Sequence, residues 1–208
     1  MTHRLMAAVV AATLLVTGAA LPLVSRQALA APEPSRVPIS WELNFKHGNL
    51  ERIIVPVAGK DTPFWYMRYT VTNNSGQDIL FTPNFEIVAD TGTALAAFKD
   101  VPNDVFEKIK TLYKNPLMQS PTNIYGKLLQ GDDNAKDGVI IFSALDPDAR
   151  NFRIFVSGLS GETAEVPNPA TKKPAILQKT LELDYNLPGQ AIGIDPVSKL
   201  TATTWVMK

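Results

Sequence analysis

The stretch Phe64 to Gly92, FWYMRYTVTNNSGQDILFTPNFEIVADTG, limits what this chain can fold into more than any other. Within it Trp65, Met67, Tyr69 and Val71 alternate with Tyr66, Arg68, Thr70 and Thr72, the period of a strand whose side chains point to opposite faces. Asn73-Asn74-Ser75-Gly76 then supplies the backbone angles a reversal needs. The pattern predicts a hairpin with Trp65 and Tyr69 in a core and Tyr66 on the other face. Short strands at Ile79 to Phe81 and Phe85 to Ala89 should follow, closed by the Asp90-Thr91-Gly92 turn.

Similar short runs fill most of the remaining sequence. Ile39, Trp41, Leu43 and Phe45 alternate with polar residues, Arg52 to Val57 reads as a second strand, and Gly138 to Ala144 is apolar enough for a strand buried on both faces. Phe152, Ile154 and Val156, then Leu177, Leu181, Leu183 and Tyr185, and finally Leu200 to Met207 give three more strands, with Ser160 to Pro174 a long polar connection. Leu117 to Gln130 fits a helix in places and an extended run in others; a strand is expected from Ile124.

The period changes once. Val105, Phe106, Ile109, Leu112 and Tyr113 recur at helical spacing, Asp104 and Glu107 have capping-box spacing, and Asn115-Pro116 marks a stop. A helix over 104–114, laid on one open side of the sheets, satisfies that stripe. The fold class expected is mainly β, an antiparallel sandwich over 39–208 with one inserted amphipathic helix.

The first thirty residues have the three-part layout of an export signal: Arg4, an apolar run from Leu5 to about Leu21, and the small-x-small site Ala28-Leu29-Ala30. Gly18 and Pro22 interrupt the run, which weighs against an uncleaved anchor of about 20 apolar residues. Cleavage after Ala30 leaves 208 less 30, or 178 residues, led by a Pro-rich segment, 31–38, expected to be mobile. No cysteine is present, so neither a disulfide nor a thiol nucleophile can form, and the core alone must stabilise the domain. Without Arg4 and Arg26 the charged residues number 18 basic to 20 acidic, which gives no footprint for nucleic acid. A periplasmic or extracellular location, with no membrane span after cleavage, is the expectation.

Candidate chemistry is sparse. His47 is the one histidine beyond the signal, so a Ser-His-Asp triad has no other imidazole to use, and a turn histidine is ordinarily solvated. Gly158-Leu159-Ser160-Gly161 misses the nucleophile-elbow spacing because Glu162 takes its last place. Met67, Met118 and Met207 show no ligand spacing, and no cofactor is implied. Asp132, Asp133, Asn134 and Asp137 form the candidate calcium turn. Counted as a calcium loop from Asp133, however, it places Ala135 and Ala144 where ligands belong, and a solvated hairpin loop is the plainer reading. Glu42, Glu86, Glu182 and Asp184 could supply paired carboxylates for glycoside hydrolysis or line the wet face of a sheet. Tyr66 and Phe155 could stack on a sugar or be covered by the helix or loops, and Asn73-Asn74-Ser75 matches a glycan acceptor.

The Tyr-x-Val-x-Asn-x-Ser-Gly core at Tyr69 to Gly76, with the Asp-x-Gly turn after it, resembles the first hairpins of bacterial secreted immunoglobulin-like domains, including the telokin-like type. Gly126 to Phe142, with its Val-Ile-Ile-Phe strand, is similar to a later segment of such domains. Phe155 to Glu162, Lys179 to Gly189 and Trp205 to Met207 resemble parts of exported bacterial proteins. The resemblance implies an immunoglobulin-like envelope or extracellular module and brings no catalytic residues with it. The function expected is therefore non-catalytic binding to an envelope or exported protein. The alternatives are a structural accessory subunit and a carbohydrate-binding or carbohydrate-active domain.

Overall fold

Lys60 to Thr72 forms a single strand of 13 residues, long enough to hold two shorter strands end to end along one side and a third along the other. The computed structural model describes residues 31–143, 145–168, 171, 173–187 and 198–208; the expected export signal over 1–30 and Ala144 of the expected apolar run lie outside them. In chain order the first sheet contains β1 (Asn44–His47), β2 (Glu51–Val57) and the long β3 (Lys60–Thr72). Then come β4 (Ile79–Phe81), β5 (Asn84–Ala89), β6 (Ala94–Ala96), helix α1 (Asn103–Tyr113), β7 (Gly126–Leu128) and β8 (Lys136–Phe142). The chain continues through β9 (Asn151–Ser157), β10 (Thr163–Pro167), β11 (Pro174–Asn186) and β12 (Lys199–Met207). Among the described residues strands make up 51% and helix 9%, so the mainly β class expected from the alternation holds.

In the first sheet β3 pairs with β1 and β2 on one side and with β8 on the other, all antiparallel. The second sheet repeats the arrangement, because β11, also 13 residues, pairs with β9 and β10 along one side and with β12 along the other. β5 adds to β9 and β6 to β5, while β4 and β7 form a separate pair. No sequence repeat announces this duplication, since backbone pairing can recur with quite different side chains.

Trp65, Met67, Tyr69 and Val71 are buried in one cluster with Phe85, Ile87, Ile154, Val156 and Leu183 of the second sheet, as their alternation predicts. The Tyr69 and Phe85 rings lie 5.4 Å apart, and burial pushes the Tyr69 phenol pKa well up. On the other face of β3, Phe64 and Tyr66 are buried as well, under Val105, Phe106 and Ile109 of α1 and beside Val139 and Ile141 of β8. The helix is thus the expected lid, and β8 from Gly138 to Phe142 is buried throughout.

Several expectations need correction. The Asn73 to Gly76 reversal does not fold β4 back onto β3: β4 pairs with β7 and β5 with β9, so the turn carries the chain from one sheet to the other. Asn73 directs that crossing. Fully buried, it donates from its amide to the carbonyls of Gln77 and Leu128 and accepts from the Ser75 backbone N–H and hydroxyl, an Asx-type turn tied to a distant strand. Its side chain is therefore structural and closed to a glycan.

The capping box does not form either, because α1 starts at Asn103 and its N-cap falls on Pro102, leaving Asp104 in the first turn, where a negative charge favours the helix dipole. Leu112 leaves the buried stripe and is 59% exposed. The first strand begins at Asn44 rather than Ile39, which is exposed, and before it Glu42 makes an isolated bridge to Ser160. Within the stretch read as a polar connection, β10 pairs with β11 from Thr163 to Pro167.

Gly138 sits opposite Tyr69 in the β3–β8 ladder, and a Cβ there would lie 2.5 Å from the Tyr69 ring and 2.5 Å from Ile124 Cδ1. Replacing Gly138 with Ala should cost roughly 1–3 kcal/mol by overpacking. Urea unfolding of the variant measures it, and unchanged stability would show that the packing around Gly138 is loose.

Candidate functional site

β11 carries Leu177, Lys179, Leu181, Leu183 and Tyr185 at the inward positions of one alternation, so a cation occupies a place in the apolar row. The Lys179 side chain is 2% exposed. Its Nζ lies 2.9 Å from Glu42 Oε2 and 3.3 Å from Glu162 Oε2, and donates to the Ser35 carbonyl at 3.1 Å. A buried charge needs partners of this kind. Ser35 is held a second time, because its backbone N–H donates to Glu162 Oε1 at 2.7 Å. The 31–38 leader is accordingly anchored at Ser35 and is not a free tail. That hydrogen bond holds the Glu162 carboxyl below the usual range, while burial opposes the shift and Lys179 reinforces it. For Lys179 burial disfavours the charged form, yet the two carboxylates carry its pKa above the ordinary value.

This ion cluster lies beside the carboxyl-terminal end of β12. Gln178 and Lys208 exchange both backbone hydrogen bonds, at 2.8 and 3.0 Å, next to the paired Lys179 and Met207. Antiparallel ladders alternate, so Val206, Thr204 and Ala202 direct their N–H and C=O groups to β11, and Thr203, Trp205 and Met207 direct theirs away from it. Among the described residues β12 pairs on that one side only. Residues 199–204 are exposed on both faces, and Leu200 to Met207 contains no charge, proline or glycine. The usual protections of a free edge, Lys or Pro within the strand, are missing between the flanking Lys199 and Lys208.

The other sequence candidates are dispersed. Glu42 belongs to the Lys179 cluster, Glu86 pairs with Lys208, and Glu182 lies 3.6 Å from Arg153. Asp184 lines a different depression from the one beside Glu86. Glu86 and Glu182 do flank Phe155 across three strands, but the ring between them is 8% exposed, with Lys208 Nζ at 4.2 Å and Arg153 at 5.6 Å from its centroid. Tyr66 is 2% exposed under α1. The two aromatics considered for stacking therefore form no open strip.

Asp132, Asp133 and Asn134 form a 3-10 turn, while Asp137 lies on β8 and accepts from Thr70 Oγ1 and Asn115 Nδ2. Among the described residues no group of three or more His, Cys, Asp or Glu could hold a metal ion. His47 closes β1 with Nδ1 2.9 Å from the Gly48 carbonyl oxygen and 3.4 Å from the Tyr185 hydroxyl. Ser160 bridges to Glu42 and accepts the Glu162 N–H on its hydroxyl. No family model, curated protein or solved structure matches the chain.

Replacing Lys179 with Ala strands Glu162 in a buried site and should cost roughly 3–5 kcal/mol in denaturant unfolding. The pH dependence has two limbs. Glu162, with a lowered pKa, contributes stability above the ordinary carboxylate range and loses it as pH falls through the folded value. Lys179, with a raised pKa, contributes below the ordinary ammonium value and loses it as pH rises through the folded one. Unfolding across pH should show a flatter acid limb in Glu162→Gln than in the parent; identical limbs would remove Glu162 from the account.

Proposed function

We propose that this chain is an exported, non-catalytic binding module of immunoglobulin-like type that takes up an extended segment of an envelope or extracellular protein along β12. The reading is carried by the nine-residue edge itself, whose outward N–H and C=O groups at Thr203, Trp205 and Met207 are a ready template for an added strand. The flanking side chains suit a partner segment with small or apolar residues, since β12 offers Ala202, three threonines and a half-exposed Trp205. The layout of residues 1–30 supports export, and two antiparallel sheets facing across a shared core support the immunoglobulin-like reading. The broken pairing along β3 and β11 and the α1 lid are elaborations on that plan.

A second reading, an accessory subunit docked through its helix, is favoured by one observation. Leu112 and Ile53 line an apolar groove of about 600 Å³ beside α1, with Ile54 of β2 48% exposed. The groove and the β12 edge belong to different sheets, so mutations separate the two readings.

Thr203→Pro removes an outward N–H and leaves the β11 ladder intact, a position an edge strand tolerates. Used as bait for an envelope extract, residues 31–208 should retain a specific partner, and the purified partner should bind the variant about tenfold or more weakly, the loss of one backbone hydrogen bond with added steric cost. Equal affinity for Thr203→Pro and parent would reject the β12 edge, and loss with Leu112→Asp instead would move the interface to the helix. Sugar release by the pure domain would overturn the non-catalytic reading.

A further inference from the structure

Beyond the last turn of α1 the outer face of the first sheet holds an open cleft of about 240 Å³. That is room for roughly eight waters at about 30 Å³ each, or for a small organic anion. Its floor is a cross-strand row in which Lys46 of β1 pairs with Thr70 of β3 and Thr70 with Asp137 of β8, with Arg68 in the next row. The segment after the helix supplies the wall through Asn115 and Met118.

The hydrogen-bonding capacity here is lopsided. Asp137 is engaged at both oxygens, by Thr70 Oγ1 at 2.7 Å and Asn115 Nδ2 at 2.8 Å. The Lys46 ammonium makes no hydrogen bond or ion pair among the described residues. Arg68 approaches a carboxylate only at 3.8 Å, where Glu51 Oε1 lies, and its buried Nε has no partner. Glu51 is committed elsewhere, since its Oε2 accepts from Tyr66 at 3.0 Å and Tyr113 at 2.7 Å. The guanidinium carbon of Arg68 sits 3.6 Å from the Tyr113 ring centroid, which fixes its plane without satisfying its donors. Two cations with spare donors thus face a cleft whose one lining carboxylate is already occupied.

We propose that this cleft binds a small soluble oxyanion, a carboxylate or a phosphate, held end-on by the Arg68 guanidinium and by the Lys46 ammonium. Arg68 supplies the planar fork that matches two oxygens, and stacking on Tyr113 pre-orders it, so little side-chain entropy is lost on binding. Lys46 supplies a point charge from the neighbouring strand β1. The site is on the other sheet from β12 and stands or falls independently of strand addition.

The test is a titration of the ¹⁵N-labelled domain, residues 31–208, with sodium acetate and with inorganic phosphate at constant ionic strength, read by amide shifts. Saturable shifts confined to residues 46–48, 68–70, 115–118 and 137–138 are expected. Tighter phosphate binding identifies a phosphoryl-type ligand, and tighter acetate binding a carboxylate. Lys46→Glu, at an exposed position, should weaken binding at least fivefold while leaving the rest of the spectrum unchanged, and Arg68→Lys should weaken it by keeping the charge but losing the fork. Absence of saturable shifts with either anion, or unchanged affinity in Lys46→Glu, overturns the proposal.

Discussion

β3 carries the fold because it is enclosed on four sides. Its edges are paired to three strands, its inner face presses Trp65, Met67, Tyr69 and Val71 against the second sheet, and its outer face is sealed by α1 over Phe64 and Tyr66. A chain without cysteine has no covalent brace between layers, so the apolar contact across this strand must supply it. The helix follows from the same constraint: the aromatic residues alternating with the core row would otherwise face water. Where α1 ends, the outer face turns polar at Arg68 and Thr70, and that change of cover is what leaves a cleft.

The inner faces of the two sheets were legible in the sequence because alternation is a local property. Trp65 and Tyr69 lie where their period puts them, and the strands at 79–81, 84–89, 136–142 and 151–157 fall close to their turn signals. Pairing partners were not legible. A reversal at Asn73 to Gly76 looks the same whether the chain returns to its own sheet or crosses to the other, and the decisive hydrogen bond runs from Asn73 to Leu128, 55 residues away. The burial of Tyr66 likewise depends on a helix about 40 residues further along.

The candidate site was only partly readable. Lys179 interrupts an otherwise apolar row, Leu177 to Tyr185, and a cation at an inward position is a signal that sequence alone offers. Glu162 gives no comparable sign, because it stands in an irregular stretch between two strands that merge only once β10 and β9 line up along β11. The free edge of β12 was visible as a strand, but its position at the margin of a sheet is a matter of topology. Composition then shows why that margin matters: the run of threonines keeps it soluble without the charge that would repel a neighbour.

The repeated plan of a long strand with two short ones beside it gives the domain unequal tenacity. β3 is paired along both edges and buried on its inner face, whereas the arm of β10 with the first residues of β11 is a two-stranded ribbon exposed on one face and half-buried on the other, with Ile176 65% exposed. Such a ribbon has little to hold it apart from its own ladder. Its amide protons would trade with solvent through small local openings, and those of Trp65 to Val71 only when the whole body comes apart. The molecule can therefore loosen at one extremity, again and again, without its centre ever registering the event.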